Sequence, residues 1–429
     1  MARPRLAGTL LAAAAALATL GSCIRGGVGA GGGGEAPEAV VLPGAQRDGE
    51  PTVRIGLAVG APGVGVGGGG ALRLHAAGVG PVGGVPAGAT LRVLPTTSGV
   101  VIGAGPGGER LEVERLTLVP AEAGGTVRVE GREYAGEVQL FRDRTGVTAV
   151  NRVGMEAYLE SVVAGEMGRR LPGESEALRA QAVISRTYAM RNMNRWRAQG
   201  FDLYATVSDQ VYAGAGVRYP LATEAVASTR GQIVTYAGAP IDAFFYSTCG
   251  GRTADGTEIF RGAQRSYLRS VSDEGPAGAY CRSSPRFRWT EAWTGPQLQE
   301  TLRRNLPAAA SIPAARVATV RGVRVAERTA SGRVGRLAVG LQGGEVPVDG
   351  PQVRGVLRSP SGEMLRSNLF TLHETAAGGR VTRLVAEGGG AGHGVGFCQW
   401  GAVGRARAGQ GYEQMIQAYY PTTTLERLY

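Results

Sequence analysis

The sequence contains no lysine, so the 46 residues counted as lysine plus arginine are all arginines, and it has only three histidines. It also lacks the motifs of RNA-recognition domains and zinc fingers, although its formal net charge is +11. A basic surface suits nucleic acids, anionic lipids or carboxylate-bearing wall polymers, and the sign of the charge alone does not select among them. A Gly-x-Ser-x-Gly turn is absent, which argues against a serine hydrolase built on a nucleophile elbow.

The apolar run near the N-terminus, Leu6 to Leu20, is shorter than a membrane-spanning helix, which needs about 20 residues. It follows the basic segment MARPR and ends in LGSC, which resembles a bacterial lipobox. Residues 1–23 are therefore predicted to be a lipoprotein-type signal peptide, with lipidation of Cys23 anchoring the chain to the membrane in the cell envelope. An ordinary signal peptide, giving a secreted protein, is the alternative. Either export route argues against a nucleic-acid partner.

Glycine is abundant, with 71 of 429 residues, well above the usual share of about 7%. Much of it lies in GGVGAGGGGE and GAPGVGVGGGG, which are typical of linkers or loops. Residues 24–50 are predicted to form a Gly-rich linker and 51–429 the folded region. Short Val/Leu/Thr runs predict a β-rich part over 51–150, and the core over 151–429 contains a predicted β-rich insertion at about 315–372.

Helical spacing of apolar residues predicts a helix over Met155–Met167. A second helix is expected to begin at Ser175, which we expect to cap it. Further helices are predicted from near Pro296 and in the C-terminal segment GYEQMIQAYY. Strand-rich flanks around a central helical pair indicate an α+β fold.

Five ordered segments resemble the SpoIID/LytB family, which comprises stage II sporulation protein D and the amidase enhancers. The resemblance extends from about Ile55 to the C-terminus. The segments are VNRVGMEAYLESVVAGEM, EALRAQAVISRTYAM, SDQVYAGAG, DAFFYSTCGGRTADGTEIF and GHGVGFCQWGAVGRARAGQGYEQMIQAYYP.

The resemblance implies a lytic transglycosylase, which cleaves the bond between N-acetylmuramic acid and N-acetylglucosamine and leaves 1,6-anhydro ends. The family's essential acid falls on Glu166. One carboxylic acid suffices for this reaction, because the 6-hydroxyl of the muramic acid itself attacks the anomeric carbon. Apolar neighbours of Glu166 are expected to raise its pKa and keep it protonated. Glu156 and Glu160 on the same helix are rival acids.

Further substrate contacts are expected from the other segments. Arg186 matches an arginine of the family's helix and is predicted to hold a lactyl carboxylate or polarise the acid; the alternative is a surface arginine paired with a nearby carboxylate. Gln210 and Tyr212 are predicted to bind N-acetyl groups or stack on a sugar, although capping of a strand or loop would also explain them. Ser247 and Thr248 are expected to line the substrate site.

The family's C-terminal segment places His393 and Gln399 in a glycine-rich loop. We expect this loop to face the glycan near Glu166, with both side chains hydrogen-bonding substrate. The alternative is a structural glycine turn. Trp400 is expected to be buried in the core.

Some family members bind zinc near the segment YSTCGG, but the position of the histidine ligand is Tyr246 here, and tyrosine is a poor zinc ligand. We therefore predict no cofactor or metal. A disulfide between Cys249 and Cys281 suits an exported chain better than a zinc site does.

The expected partners are peptidoglycan glycan strands and, in the alternative function, a cell-wall amidase. In that alternative the protein is a non-catalytic wall-binding enhancer. Gly168 stands where the family often has a proline after the Glu-Met pair, so the chain departs from the family pattern directly beside the expected acid.

Overall fold

The computed structural model describes residues 49–103 and 110–429. The predicted signal peptide, Cys23 and nearly all of the predicted linker lie outside the described residues. Within them, helices and open sheets combine in an α+β fold, which confirms the predicted class.

The region before the first helix is built from strands. They are β1 (Thr52–Ala61), β2 (Val64–Gly67), β3 (Leu72–Ala76), β4 (Gly80–Val85), β5 (Thr90–Pro95), β6 (Val100–Gly103), β7 (Leu111–Val113), β8 (Arg115–Pro120), β9 (Thr126–Val129), β10 (Arg132–Ala135), β11 (Glu137–Arg142) and β12 (Val147–Gly154). One sheet has the order β13-β1-β12-β11-β8-β3-β4, where β13 is Leu203–Tyr204, and a second has the order β10-β9-β2-β5-β6-β7. Side chains from both sheets enter one apolar core.

Strand β2 lies inside the glycine-rich stretch GAPGVGVGGGG, which the sequence had indicated as a loop or linker. Val64 and Val66 alternate with glycines and are buried in the shared core. A strand needs only one inward-facing side chain in two, so alternate glycines on the other face do not prevent it.

The central region supplies the helical pair. Its elements are α1 (Met155–Met167), α2 (Ser175–Arg191), α3 (Pro220–Ser228), β14 (Gln232–Tyr236), β15 (Ala239–Pro240), β16 (Phe245–Tyr246), α4 (Gly256–Ile259), β17 (Glu274–Gly275) and β18 (Gly278–Ala279). The apolar stripe predicted for α1 is buried throughout, as Leu159, Val162 and Val163 show. Helix α2 starts at Ser175 directly after a 3-10 turn, but Ser175 makes no capping hydrogen bond, contrary to the prediction.

Helix α1 ends at Met167, and the next residue, Gly168, adopts φ +65°. A proline has φ fixed near −65°, so the proline common in the family at this position would be incompatible with this chain path. The glycine thus redirects the chain immediately after Glu166 and Met167.

The insertion has its own apolar core, formed by buried residues between Trp289 and Ala386. Its elements are β19 (Arg288–Thr294), α5 (Gly295–Ala310), β20 (Val320–Arg328), β21 (Val334–Leu341), β22 (Gly344–Asp349), α6 (Gly350–Val356), β23 (Phe370–Ala377) and β24 (Arg380–Gly389). The sheets have the orders β19-β24-β23 and β20-β21-β22. This unit is wider than the predicted 315–372, because β19 pairs with β24 across the whole segment.

The chain closes with β25 (Phe397–Cys398), α7 (Gln399–Arg407), α8 (Tyr412–Tyr419) and β26 (Thr424–Arg427). Strand β25 pairs in parallel with β16, and β26 pairs with β14. These pairings bring the C-terminal loop against the central helices. Among the residues described, no helix combines the length and apolar character that a bilayer crossing requires.

Candidate active site

Glu166 occupies the last turn of α1, where the packed helix holds its side chain against the loop that contains Val211. The backbone N–H of Val211 donates to Glu166 Oε1 at 2.8 Å. Gly165 is in close packing with that loop, since a Cβ there would lie 3.1 Å from the Val211 carbonyl oxygen. Burial raises the pKa of Glu166, against the opposing effect of the hydrogen bonds from Val211 and Gln399. The carboxyl group is thus biased towards its protonated form.

The two other glutamates of α1 that could serve as the acid each form an ion pair with an arginine. Glu156 forms a two-bond ion pair with Arg186, at 2.6 and 2.9 Å. Glu160 pairs with Arg218 at 3.0 Å. Among the residues that the structure describes, Glu166 has no such cationic partner. Of the three, Glu166 is the one suited to donate a proton to a substrate.

Gln399, the first residue of α7, reaches Glu166 from the opposite end of the chain. Its Nε2 lies 3.5 Å from Glu166 Oε2 and 3.4 Å from Gln181 Oε1. Gln181 in turn donates to the Ser185 hydroxyl at 2.9 Å, one helical turn along α2. The expectation that the C-terminal loop lies beside Glu166 therefore agrees with the geometry at Gln399.

Trp400 follows Gln399 and is half-buried, contrary to the expectation that it lies in the core. The Arg170 guanidinium carbon sits 4.6 Å from the centre of the indole ring. The backbone N–H of Trp400 donates to the Ser247 carbonyl at 3.0 Å. Trp400 thus contacts both Arg170 and Ser247, and it directly follows Gln399, the residue whose amide approaches Glu166.

Arg186 does not reach this cleft. It has no exposed surface, and besides Glu156 its guanidinium donates to the Gln232 carbonyl at 3.0 Å. The structure thus supports the paired arginine of the alternative, although in a buried rather than a surface position, and leaves no path for a direct contact with a lactyl carboxylate, because every donor faces the protein interior.

Gln210 and Tyr212 are also buried. The Tyr212 hydroxyl donates to Asn151 Oδ1 at 2.8 Å, and the Tyr158 hydroxyl donates to Gln210 Oε1 at 3.1 Å. Tyr212 is therefore a core residue in this structure rather than a sugar platform. Gln210 Nε2 is buried and has no hydrogen-bond partner among the described residues.

Both ring nitrogens of His393 take part in hydrogen bonds within the protein, and these contacts stabilise the loop. Its Nδ1 accepts from the Val395 N–H at 3.1 Å, and Nε2 lies 2.9 Å from the Phe245 carbonyl, so Nε2 carries the proton. Burial lowers the pKa of His393 from 6.5 to about 4. A hydrogen bond from His393 to substrate would require one of these backbone contacts to break, which favours the structural alternative for this residue.

Thr248 is buried, and its hydroxyl lies 2.7 Å from that of Ser284. Ser247 is half-buried with its hydroxyl 3.1 Å from Thr248 Oγ1. Of these two predicted contacts, Ser247 is the one with access to a ligand.

Cys249 and Cys281 are separate thiols in the structure, with their sulfur atoms 3.4 Å apart. The predicted disulfide is not formed here and stays a prediction. Tyr246, at the position of the family's histidine ligand, is buried, and its hydroxyl has no partner among the described residues. A tyrosine there does not replace the family's histidine ligand.

Sequence reasoning missed Val211, Gln181 and Arg170. Val211 acts through its backbone, so its side chain carries no signal. Gln181 and Ser185 share one face of α2 by their four-residue spacing, and an otherwise apolar helix face with two polar residues was the available clue. Arg170 lies in a loop whose path the sequence does not define.

The model of the family described as stage II sporulation protein matches residues 143–236, which include Glu166. Stage II sporulation protein D of Bacillus amyloliquefaciens is 30% identical over 294 residues, which are 65% of this chain and 75% of that relative. This chain belongs to the stage II sporulation protein D family. The protein of the same name from Bacillus subtilis is 28% identical over 306 residues, which are 68% of this chain and 80% of that relative.

Two further matches extend the family assignment. The amidase enhancer of Bacillus subtilis is 26% identical over 333 residues, covering 70% of this chain and 45% of that relative. A second family model, a domain of unknown function, matches residues 276–396. That range contains the separate apolar core of the insertion.

Proposed function

We propose that this protein is a lytic transglycosylase of peptidoglycan in which Glu166 is the catalytic acid. Family membership supports a cell-wall-related function. The observation that carries the finer assignment is the state of Glu166: half-buried, with its pKa raised by that burial, and lacking the arginine partner that each of its two rivals has.

In the proposed reaction, protonated Glu166 donates its proton to the glycosidic oxygen as the bond from that oxygen to the anomeric carbon of N-acetylmuramic acid breaks. The 6-hydroxyl oxygen of the same sugar then bonds to the anomeric carbon and closes the 1,6-anhydro ring. The hydroxyl proton returns to the Glu166 carboxylate, which restores the acid. Water is not consumed, and no second protein carboxylate is required.

The neighbours of Glu166 suit this cycle. The Val211 N–H and the Gln399 amide stabilise the carboxylate that forms after proton donation, whereas burial favours the acid before it. Arg170 covers one face of the half-buried Trp400 indole, so a sugar ring would stack on the other face or displace that arginine. The positive charge of the chain is compatible with carboxylate-bearing wall polymers.

A second candidate function is a non-catalytic enhancer of a cell-wall amidase. The 26% identity to the amidase enhancer over 70% of this chain favours it. In both functions the protein is expected at the cell envelope, and lipidation of Cys23 remains the proposed anchor.

The test is incubation of the purified chain with intact peptidoglycan and with glycan strands freed of stem peptides, followed by mass spectrometry of the sugar ends. Glu166→Gln is compared with Glu160→Gln, a control on the same helix whose carboxylate is paired with Arg218. Anhydro ends from the wild type and Glu160→Gln, but not from Glu166→Gln, would establish the transglycosylase. Binding by all three proteins without new ends would reject it; stimulation of a cell-wall amidase would then support the enhancer.

A further inference from the structure

Three cysteines and one aspartate from distant parts of the chain meet in the interior. Cys249 follows β16, Asp273 precedes β17, Cys281 lies in a 3-10 turn and Cys398 directly precedes α7. Their sulfur atoms and one carboxylate oxygen all lie within 4.8 Å of one another, and all four residues are buried.

We propose that Cys249, Asp273, Cys281 and Cys398 form a structural Zn²⁺ site. The Cys249 sulfur lies 3.4 Å from that of Cys281 and 3.2 Å from Asp273 Oδ2. Ligands of a tetrahedral zinc ion bound to sulfur at about 2.3 Å stand roughly 3.8 Å apart. The observed spacing is close to that edge length, so small side-chain shifts would accommodate one ion.

The same spacing argues against an iron–sulfur cluster. Thiolates that bind different irons of a cluster lie on its outside and must be farther apart than the ligands of a single ion. Four enclosed ligands without an open position are typical of structural zinc sites rather than catalytic ones.

Backbone N–H groups surround the sulfur atoms as they do in thiolate sites. The N–H groups of Cys249 and Gly401 each lie 3.2 Å from the Cys398 sulfur. The Gly251 N–H lies 3.4 Å from the Cys249 sulfur. Such donors stabilise thiolate charge, which an apolar interior would otherwise disfavour.

Two side chains hold Asp273 through one of its carboxylate oxygens. The Tyr419 hydroxyl donates to Asp273 Oδ1 at 2.7 Å, and Arg405 pairs with the same oxygen at 3.0 Å. Oδ2 is therefore left to face the thiols. Gly401 is required at this point, because a Cβ would collide with the Asp273 carboxylate and the Tyr419 hydroxyl. Outer hydrogen bonds that fix one ligand oxygen are characteristic of metal sites.

A Cys249–Cys281 disulfide is the competing explanation, but it accounts for less. It would leave the Cys398 thiol without a partner sulfur and Asp273 Oδ2 facing two oxidised sulfurs, since Arg405 compensates the carboxylate only through Oδ1. One divalent cation engages all four groups, and its binding releases the three thiol protons to solvent.

The proposed ion would fasten the C-terminal loop to the central region. Cys398 precedes Gln399, the residue whose amide approaches Glu166. The site is thus a positioning device for that contact, and its presence does not depend on whether Glu166 is catalytic.

The test is the zinc content of the full chain, exported and purified without reductant, in a Cys23→Ser background that leaves these three cysteines as the only thiols. We expect about one zinc per chain and three thiols titratable only after denaturation with chelator. Zinc should fall at least about tenfold in Cys398→Ser and Asp273→Asn. It should be retained in Asp273→Cys, which restores four ligands, and in Ser284→Ala, a buried neighbouring control.

A wild-type protein without zinc would overturn the proposal. This holds whether one thiol is free, as a disulfide requires, or all three thiols are free. Retention of zinc in Cys398→Ser would overturn the ligand set. If the ligand variants do not fold, cobalt substitution of the wild type replaces them: thiolate-to-cobalt charge-transfer absorption would support the site, and its absence would reject it.

Discussion

Gln399 Nε2 lies 3.5 Å from Glu166 Oε2 although 233 residues separate the two in the chain. The contact forms because β25 pairs with β16 and places the start of α7 over the end of α1. An amide next to a half-buried acid has a defined electrostatic effect: it favours the carboxylate and opposes the rise in pKa that burial causes.

Replacement of Gln399 by methionine keeps the volume and removes the donor. The pKa of Glu166 should then rise further, so the pH above which activity declines should move upward. The maximal rate should fall by about fivefold, as expected for the loss of one hydrogen bond of about 1 kcal/mol. The measurement is release of anhydro ends against pH. Gln417→Met, an exposed glutamine on α8, is the control; an unchanged alkaline limb in Gln399→Met would show that the contact does not act on the acid.

The sequence predicted the α+β class, the helix over Met155–Met167 and the proximity of the C-terminal loop to Glu166, because periodicity and family motifs carry that information. It did not predict β2, since glycines on the outward face concealed the buried Val64 and Val66. It also assigned Arg186 to substrate, because a motif marks a residue as important without showing which way its side chain points. Local pattern defines elements, whereas burial and pairing depend on distant segments.

Glu166→Gln should raise the thermal midpoint of unfolding at neutral pH while abolishing the proposed activity. The sign follows from the pKa: burial raises the pKa of Glu166 in the folded protein, so the ionised form destabilises the fold above the unfolded-state pKa. The neutral amide removes that penalty and can still accept from Val211. Differential scanning calorimetry measures the effect. Glu160→Gln should instead leave the midpoint unchanged or lower it slightly, because it loses an ion pair.

Arg186→Met should destabilise the protein by about 3–5 kcal/mol, because it leaves the Glu156 carboxylate buried without its counter-charge. The double variant Glu156→Leu/Arg186→Met should be less destabilised than the single one, since no charge remains unpaired. Urea unfolding measures both. Arg218→Met, which breaks the more exposed pair with Glu160, should cost no more than about 1 kcal/mol. Full stability of Arg186→Met would contradict the structural role and reopen the substrate role.

The protonation of His393 should make the fold acid-sensitive. Its pKa is lowered from 6.5 to about 4 by burial. Between these values the unfolded chain takes up a proton that the folded chain does not, so the free energy of unfolding falls as pH decreases through this window. From this group alone, the free energy of unfolding should be roughly 3 kcal/mol higher above pH 6.5 than at about pH 4.

Urea unfolding of the wild type and of His393→Gln at about pH 7 and about pH 4 isolates this contribution, because other titrating groups are common to both proteins. Glutamine cannot gain the proton, so its free energy of unfolding should fall less between the two pH values than that of the wild type. His373→Gln is the matched control, since His373 lies on the exposed side of β23 and should leave the wild-type pH dependence unchanged. Equal losses in the wild type and His393→Gln would show that the His393 ring is not held neutral by the loop, and that its contacts with Phe245 and Val395 do not contribute to the acid sensitivity.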